Sequence, residues 1–522
     1  DRSPSRGLGD VYKRQVEPPR SARQTHRPDP LLQLPKPKRW NDDVNAFVSK
    51  LSDTAGHIGT KPFSVLAMKT SLNAALQNKD RRQAILKAIY AEIDNLEQPG
   101  VLEPTRPQHI PTELRRHIIN VYMFHKEKYK ADGTFDKDKM RLVLLSNLRD
   151  PDTIGDSFSP TVNPISVMTQ LNIAALKKGT VVAAYDIKGA FLLTPMQEGT
   201  RMFIRVGPDV AEHWIRRCPH RLKWVHDDGC LYFELKRYVY GLHEAPNQFN
   251  SYLDKILKES GFTPTRADPC LYTKSTKDGI IILSTHVDDM LLTCPHVKWR
   301  TWFERVCEKY FTLVKQYDNI SYLGIQINQN ANTGHITLNQ HGYLTSVLKK
   351  YGFDKLHKFP TLPAVESLVS SQPHAKPADK KKFLSLVMSL MYLARFTRPD
   401  IHFAVSYLAT KCKSPTTVDQ QHLERILRYL AGTQYEGLCF RSDIPFKPSI
   451  SADASHHLYP EGHGQEGMVI SNGSSPVAVR SAKMKLMTRS SAESELVTLE
   501  NVSTYAVWYV TLLKDLGMSN QR

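Results

Sequence analysis

The chain has 522 residues, a formal net charge of +18 and a pI near 9.4. That length allows about two to four domains with sizeable cores, and the basic balance suits a polyanionic partner. Seven scattered cysteines are an odd number and argue against a disulfide framework. No stretch approaches ~18 uninterrupted apolar residues, so no membrane span is expected.

Residues 1–15 need separate treatment. Ser5 to Gln15, SRGLGDVYKRQ, is the translation of a transposase-adapter sequence of the kind used in sequencing, so it is set aside as an assembly scar. The natural start is then expected to be missing. Residues 16–80 read as a basic, Pro-rich linker, with PKPKRW at Pro35–Trp40 as its most marked piece. Lys36 to Arg39 also permits a nuclear-localisation reading, against which a solvated tether is weighed.

Gln83 to Leu96 carries Ile85, Ile89, Ile93 and Leu96 at helical spacing and is closed by Pro99-Gly100. His125 to Leu145 reads as two strands joined through Asp132-Gly133, and Phe158 to Gly179 as supplying a helix. Val181 to Tyr185 is a strand with Asp186 at its end and Phe191 five positions later. Glu212 to Gly229 reads as an expanded loop. Within and beside it, Cys218, His220, His226 and Cys230 match no standard zinc spacing. Ala245 to Gly261 predicts a helix, with Pro246 in its first turn, Phe249, Leu253, Ile256 and Leu257 buried, and Gly261 as the stop.

Gly279 to Cys294 reads as a buried hairpin: two apolar runs flank the adjacent carboxylates Asp288 and Asp289. Acids rarely stand against a hydrophobic core unless they hold a cation or are otherwise paired. A solvated Asp-Asp turn is the plainer alternative, and the strand context together with Asp186 speaks against it. Further on, Trp302–Tyr310 predicts a helix and Ser321–Ile327 a strand. Ile336–Tyr351 opens a new region, and Phe383–Tyr407 and Leu423–Leu430 predict amphipathic helices. Their Tyr392, Arg398, Arg425, Arg428 and Tyr429 suit either a structural stripe or a duplex backbone. Ser449–Ala452, Gly467–Ile470 and Val477–Val479 predict strands before a helix over Ser491–Leu516.

In this order, DIKGAFL, YGLHEAPNQF, THVDDMLL, YLGIQI, SLMYLARFTRPDIHFAV, RILRYLAGT and SSAESE resemble the reverse transcriptase of copia-type LTR retrotransposons. The resemblance runs roughly from Ile85 to Gly517. It implies an α+β right-hand polymerase of fingers, palm and thumb over 81–355. Connection helices over 356–440 and a truncated RNase H-like α/β domain over 441–522 would follow. It also implies RNA-directed DNA polymerase activity, with Asp186, Asp288 and Asp289 holding two Mg²⁺ ions or Mn²⁺ in their place. Lys128 and Arg141 would grip the triphosphate, and Phe191, Tyr240 and Gly241 would face the incoming nucleotide, Phe191 as a steric gate against ribonucleotides. Gly241 is expected to let the backbone pass close to a template base pair. Tyr322, Leu323 and Gly324 match the family's primer grip.

Asp453 and Glu495 match two of the four acids of an RNase H site, so that activity is expected to be absent. Implied partners are an RNA template, a DNA primer, the RNA–DNA hybrid and dNTPs, with no membrane. Integrase and capsid regions of the same polyprotein, a cytoplasmic virus-like particle and nuclear entry follow by resemblance. Three residues depart from the family pattern: His243 and Glu244 replace Lys and Gln, and His286 replaces the Tyr before Val-Asp-Asp. The alternative function is a catalytically inactive nucleic-acid-binding remnant of a retrotransposon Pol.

Overall fold

The computed structural model describes residues 70–129, 135–146, 155–355, 358–369 and 374–518. The adapter-like segment, most of the linker, Lys36–Arg39 and the Asp132-Gly133 turn lie outside the described residues. The first described residue, Thr70, falls inside the expected linker. β1 (Thr70–Ser71) pairs with His125 and Phe124, and α1 (Leu72–Leu76) buries Leu72 and Ala75.

α2 (Arg82–Leu96) buries Ile85, Ile89, Ile93 and Leu96, the stripe its spacing predicts. β2 (Leu102–Thr105) follows, then the long antiparallel pair β3 (Ile119–Tyr129) and β4 (Phe135–Leu144). α3 (Pro164–Leu176) starts with Pro164 behind the Asn163 cap, and β5 (Val181–Ile187) carries Asp186 near its end. β6 (Phe203–Val206), α4 (Pro208–Arg217) and β7 (Leu231–Leu235) come next.

The expected loop over 212–229 is largely helical: the second half of α4 and a 3-10 segment, Pro219–Trp224, occupy it. Trp214 Nε1 donates to Glu97 Oε1 at 2.5 Å, Arg217 pairs with Asp94 at 2.7 Å and Arg221 with Glu97 at 2.8 Å. Side chains on and just beyond α2 thus hold the segment in place.

α5 (Ala245–Glu259) has Pro246 in its first turn and buries Phe249, Leu253, Ile256 and Leu257, as its sequence predicts. β8 (Thr263–Pro264), β9 (Leu271–Thr276), β10 (Gly279–His286) and β11 (Asp289–Cys294) lead to α6 (Val297–Cys307). α6 begins earlier than Trp302 and without a side-chain cap at His296. β12 (Leu313–Gln316), β13 (Ile320–Tyr322), β14 (Ile325–Gln329) and β15 (Ile336–Asn339) follow. Helices α7 (His341–Tyr351), α8 (Lys380–Phe396), α9 (His402–Ala409) and α10 (Thr417–Gly432) form a bundle. β16 (Leu438–Phe440), β17 (Ser449–Ser455), β18 (Gln465–Ser471), β19 (Pro476–Lys483) and α11 (Ser491–Asp515) complete the described chain.

The fold is mixed α and β, built on four sheets. Their orders are β1-β3-β6-β7-β2 with β4 on β3, then β12-β5-β11-β10-β9-β8, then β13-β14-β15-β16, and β17-β18-β19. The second sheet is buried on both sides, and side-chain alternation sorts its residues into two cores. Ala183, Tyr185 and Ile187 of β5, with Met290 and Leu292 of β11, join α2, α5 and α6. Val182, Ala184 and Leu291 join α3, the third and fourth sheets and α11.

The helix bundle has its own core, in which Tyr343, Leu344, Val347 and Leu348 of α7 pack with residues of α8, α9 and α10. The expected boundary at 355/356 therefore cuts through one core.

α11 is tied directly to the second sheet's surroundings. Trp508 Nε1 donates to the Ala267 carbonyl at 2.8 Å and Asp515 pairs with Arg266 at 3.0 Å. The buried Tyr509 hydroxyl donates to Asn472 at 2.8 Å and accepts from Thr169 of α3 at 3.3 Å. Tyr509→Ala should therefore cost about 3–5 kcal/mol. Hydrogen exchange should speed up at α3 amides as well as α11 amides. Acceleration confined to α11 would show that the C-terminal block opens on its own.

Candidate active site

The hairpin read from the sequence closes through a two-residue turn. β10 and β11 pair from Ile282↔Thr293 to His286↔Asp289, leaving Val287 and Asp288 at the tip. Val287 has φ +56°, a left-handed conformation that is costly for a β-branched residue. Such strain persists only where surrounding contacts impose it. One such contact is the Ile187 N–H, which donates to the Asp288 carbonyl at 2.9 Å.

β11 also pairs with β5, in a register that sets Asp289 opposite Asp186. The three sequence-predicted acids thus meet at neighbouring strand ends, with Asp289 buried and Asp186 and Asp288 half-buried. His286, Asp289 and Asp186 form one cross-strand row. Burial pushes the His286 imidazole down to about 4.

Directly opposed residues on paired strands have Cβ atoms about 4.5–5.5 Å apart. Among the described residues, no three His, Cys, Asp or Glu side chains form a ready-made metal cage. Mg²⁺ rarely uses one: it binds through one or two carboxylates together with substrate phosphates. The hard oxygen donors of Asp186, Asp288 and Asp289 fit that mode.

Tyr240 connects the acids to the β3–β4 pair. Burial raises its phenol above the ordinary range, Arg141 opposes the shift, and Glu92, Asp288 and Asp186 reinforce it. The Arg141 guanidinium lies 4.5 Å from the centre of the Tyr240 ring and pairs with Glu92 at 3.3 Å. Phe191 is only 8% exposed and meets Tyr240 edge-on at 5.3 Å and Phe249 at 6.3 Å. Asp186, Asp288, Tyr240, Arg141 and Phe191 therefore belong to one neighbourhood.

Lys128 stands apart from it, four pairs along the β3–β4 ladder, or about 13 Å toward the tip. It pairs with Asp136 at 3.4 Å. The register shows what the sequence reading missed. Phe124↔Arg141, Lys126↔Lys139 and Lys128↔Lys137 place five cations on one face of the pair. On the opposite face, Arg81 bridges Glu127 and Asp138. Period-2 alternation of Lys and Arg along both strands was the available signal.

At Gly241 the neighbour that requires glycine is protein backbone. A Cβ there would lie 2.4 Å from the Leu144 carbonyl oxygen, at φ +99°. Leu144 N–H donates to the Tyr240 carbonyl at 2.9 Å, locking the approach. The unusual neighbours have structural partners: His243 Nδ1 bonds Ser146 Oγ at 2.9 Å, and the buried Glu244 accepts from Gly155 N–H at 3.3 Å.

Tyr322, Leu323 and Gly324 do not lie in a single strand. Tyr322↔Ile325 closes a second two-residue turn, with Leu323 at φ +48° and Gly324 at φ +69°. Positive φ at both central positions is the turn that matches strand twist. Tyr322 is core, its hydroxyl accepting from Ser284 Oγ at 3.4 Å, while Tyr392 donates to the Leu323 carbonyl at 2.6 Å.

The remaining candidates separate clearly. Glu495 Oε1 accepts from Ala454 N–H at 3.3 Å and so reaches β17 beside Asp453. Glu493 instead accepts from Arg489 N–H at the helix start. Cys218, His220, His226 and Cys230 form no ligand group. Burial pushes the Cys230 thiol up to about 11, and the two histidines face Glu97 and Asp228. Arg398 and Tyr429 are both bound to Asp400.

The family model for reverse transcriptase (RNA-dependent DNA polymerase) matches residues 109–363. The chain is 27% identical over 450 residues to a retrovirus-related Pol polyprotein from transposon RE1 of Arabidopsis thaliana, covering 85% of this chain and 29% of that protein. For the corresponding polyprotein from transposon TNT 1-94 of Nicotiana tabacum the figures are 25% over 457 residues, 86% and 33%. A putative transposon Ty5-1 protein of Saccharomyces cerevisiae is 30% identical over 270 residues, covering 51% of this chain and 87% of that protein. The chain spans about a third of the length of the Pol polyproteins it matches.

The Gly241 contact yields a direct test. Gly241→Ala forces both a backbone clash and an unfavourable φ, and should destabilise the protein by about 2–4 kcal/mol. Urea denaturation measures it; a change below about 0.5 kcal/mol would mean that β4 moves aside freely.

Proposed function

The chain belongs to the reverse transcriptase family of copia-type retrotransposon Pol proteins, and on that premise we propose that it is an RNA-directed DNA polymerase. It would join dNTPs to a primer 3′-hydroxyl on an RNA or DNA template. The observation that carries this reading is the register setting Asp289 opposite Asp186, with the Asp288 carbonyl clamped by Ile187. In this reading the primer oxygen bonds to the α-phosphorus and pyrophosphate leaves. Asp186 and Asp288 would be the principal ligands, with Asp289 beside them. Two bound Mg²⁺ ions would acidify the primer hydroxyl and offset the charge of the leaving pyrophosphate.

The protein's own part is positioning and charge. Arg141, held by Glu92 and stacked on Tyr240, would bind triphosphate oxygens beside the acids. Lys128 and its neighbours lie farther along the same face and suit nucleic acid or the outer phosphates. Like charges directly opposed across strands are destabilising. Lys126↔Lys139 and Lys128↔Lys137 set such charges opposite one another, with Lys128 also paired to Asp136, and the face suits a polyanion.

The β13–β14 turn would hold the primer through the Leu323-Gly324 backbone, since the Tyr322 ring is buried. The second and fourth sheets would be the palm and an RNase H-like module carrying Asp453 and Glu495. Two carboxylates do not by themselves hold a two-metal centre. Among the described residues no helix is long and apolar enough to cross a membrane. We place the protein with integrase and capsid regions of its polyprotein in a cytoplasmic particle.

Asp288→Asn should reduce extension of a DNA primer on an RNA template to background, with primer-template affinity changed several-fold at most. Comparable extension by the variant would sink the assignment. A wild-type chain that binds primer-template and extends nothing would favour the inactive-remnant alternative.

Sugar selection tests Phe191. Phe191→Val opens space beside Tyr240 and should lower the kcat/KM preference for dCTP over CTP by at least about tenfold. A thermal melt accompanies it, because the ring also packs on Phe249. An unchanged preference in an active, folded variant would assign Phe191 to the core alone.

A further inference from the structure

A cleft of about 700 Å³ lies between segment 358–369 and helix α10, lined by residues that include Lys358, Phe359, Gln421, His422, Arg425 and Arg428. Its wall carries three cations and, among the described residues, no carboxylate. Outside the wall, Glu424 lies 3.9 Å from the Arg428 guanidinium and Asp419 acts on His422. The Arg425 Nε is buried without a hydrogen-bond partner, an arrangement that costs free energy unless something supplies an acceptor. Phe359 is 45% exposed, and the base of its side chain lies against Gly432, where a Cβ would come within 2.7 Å of the Phe359 Cβ. The side chain is thus anchored at its base while its ring presents a surface.

We propose that this cleft binds a segment of single-stranded nucleic acid, one base lying on Phe359 and the flanking phosphates on Arg425, Arg428 and Lys358. A rigid aromatic surface bordered by cations is the recurring solution for unpaired strands. The cleft has the size of a pocket that encloses a small group, and a base can enter only when it is out of a duplex. An acidic peptide would use the cations and leave the aromatic and apolar lining unexplained. The inference is independent of the acids on β5 and β11, so it stands or falls without the polymerase reading. It also divides the helix residues named from the sequence: Arg398 and Tyr429 serve the fold, whereas Arg425 and Arg428 face the cleft.

The test uses the full chain and a fluorescein-labelled oligo-dT of about 12 nucleotides. A second oligonucleotide carries 5-iodouracil for photo-crosslinking. Cross-links should map to 358–369 or to α10 and be displaced by unlabelled oligonucleotide, not by equimolar TTP. Arg425→Gln with Arg428→Gln should weaken oligonucleotide binding about tenfold and reduce the slope of log affinity against log salt by about 1.4. Phe359→Leu keeps apolar packing and should abolish the cross-link at that position. Extension of a short primer-template should be unchanged in both variants. Cross-links confined to other segments would overturn the proposal, as would an unchanged salt slope in the folded double variant. Equal displacement by TTP would overturn it too, by making the cleft a free-nucleotide pocket.

Discussion

The antiparallel pairing of β11 with β5 is the constraint on which the candidate site depends. Both strands are buried on both faces, so a slip of one residue would exchange the two cores they feed. Gln170 of α3 pins the arrangement from one side, its Nε2 donating to the Ile282 and Leu291 carbonyls at 3.1 and 3.0 Å. Ile187 pins it at the end through the Asp288 carbonyl. Acids that would be expensive in a hydrophobic sheet are thus set where the strands run out, by packing that involves no acid. The price of that placement is visible at Val287, a branched residue in a left-handed turn.

The core on the α3 side couples distant parts of the chain. It takes Val182, Ala184 and Leu291 from the central sheet, Tyr322 and Ile325 from the third, and Met468, Ile470 and Tyr509 from the C-terminal block. The fourth sheet and α11 therefore support the face of the sheet that carries Asp186 and Asp289. The helix bundle reaches the same region by a hydrogen bond, Tyr392 to the Leu323 carbonyl. A linear scheme of successive domains misses this, because β16 returns from the bundle to pair with β15.

What the sequence made legible were elements whose signals are local. The stripes of α2 and α5, the Pro246 start of α5 and the acid-bearing hairpin all follow from spacing and turn chemistry. The α4 segment was unreadable as helix because its anchors, Glu97 and Asp94, lie more than a hundred residues away in sequence. The β13–β14 turn was hidden because Leu323, not glycine or asparagine, takes the first left-handed position. Gly241 was expected to approach a template base pair, whereas the close neighbour in the fold is the Leu144 backbone, which no local signal announces. The onset of α6 lacked any capping side chain to announce it.

Net charge shows the same division between what composition states and what register decides. A value of +18 points to a polyanion without saying where it binds. Many cations are committed to the fold: Arg217 and Arg221 anchor α4 and the 3-10 segment, Arg266 anchors α11, and Arg398 is buried against Asp400. Strand alternation then separates the charges of the β3–β4 pair, sending five cations to one face and Glu127 and Asp138 to the other. A shift of one residue in either strand would interleave the signs and remove the electrostatic asymmetry. The basic face is therefore a product of register, and the register is held by Met123, Met140 and Leu142 on the core side.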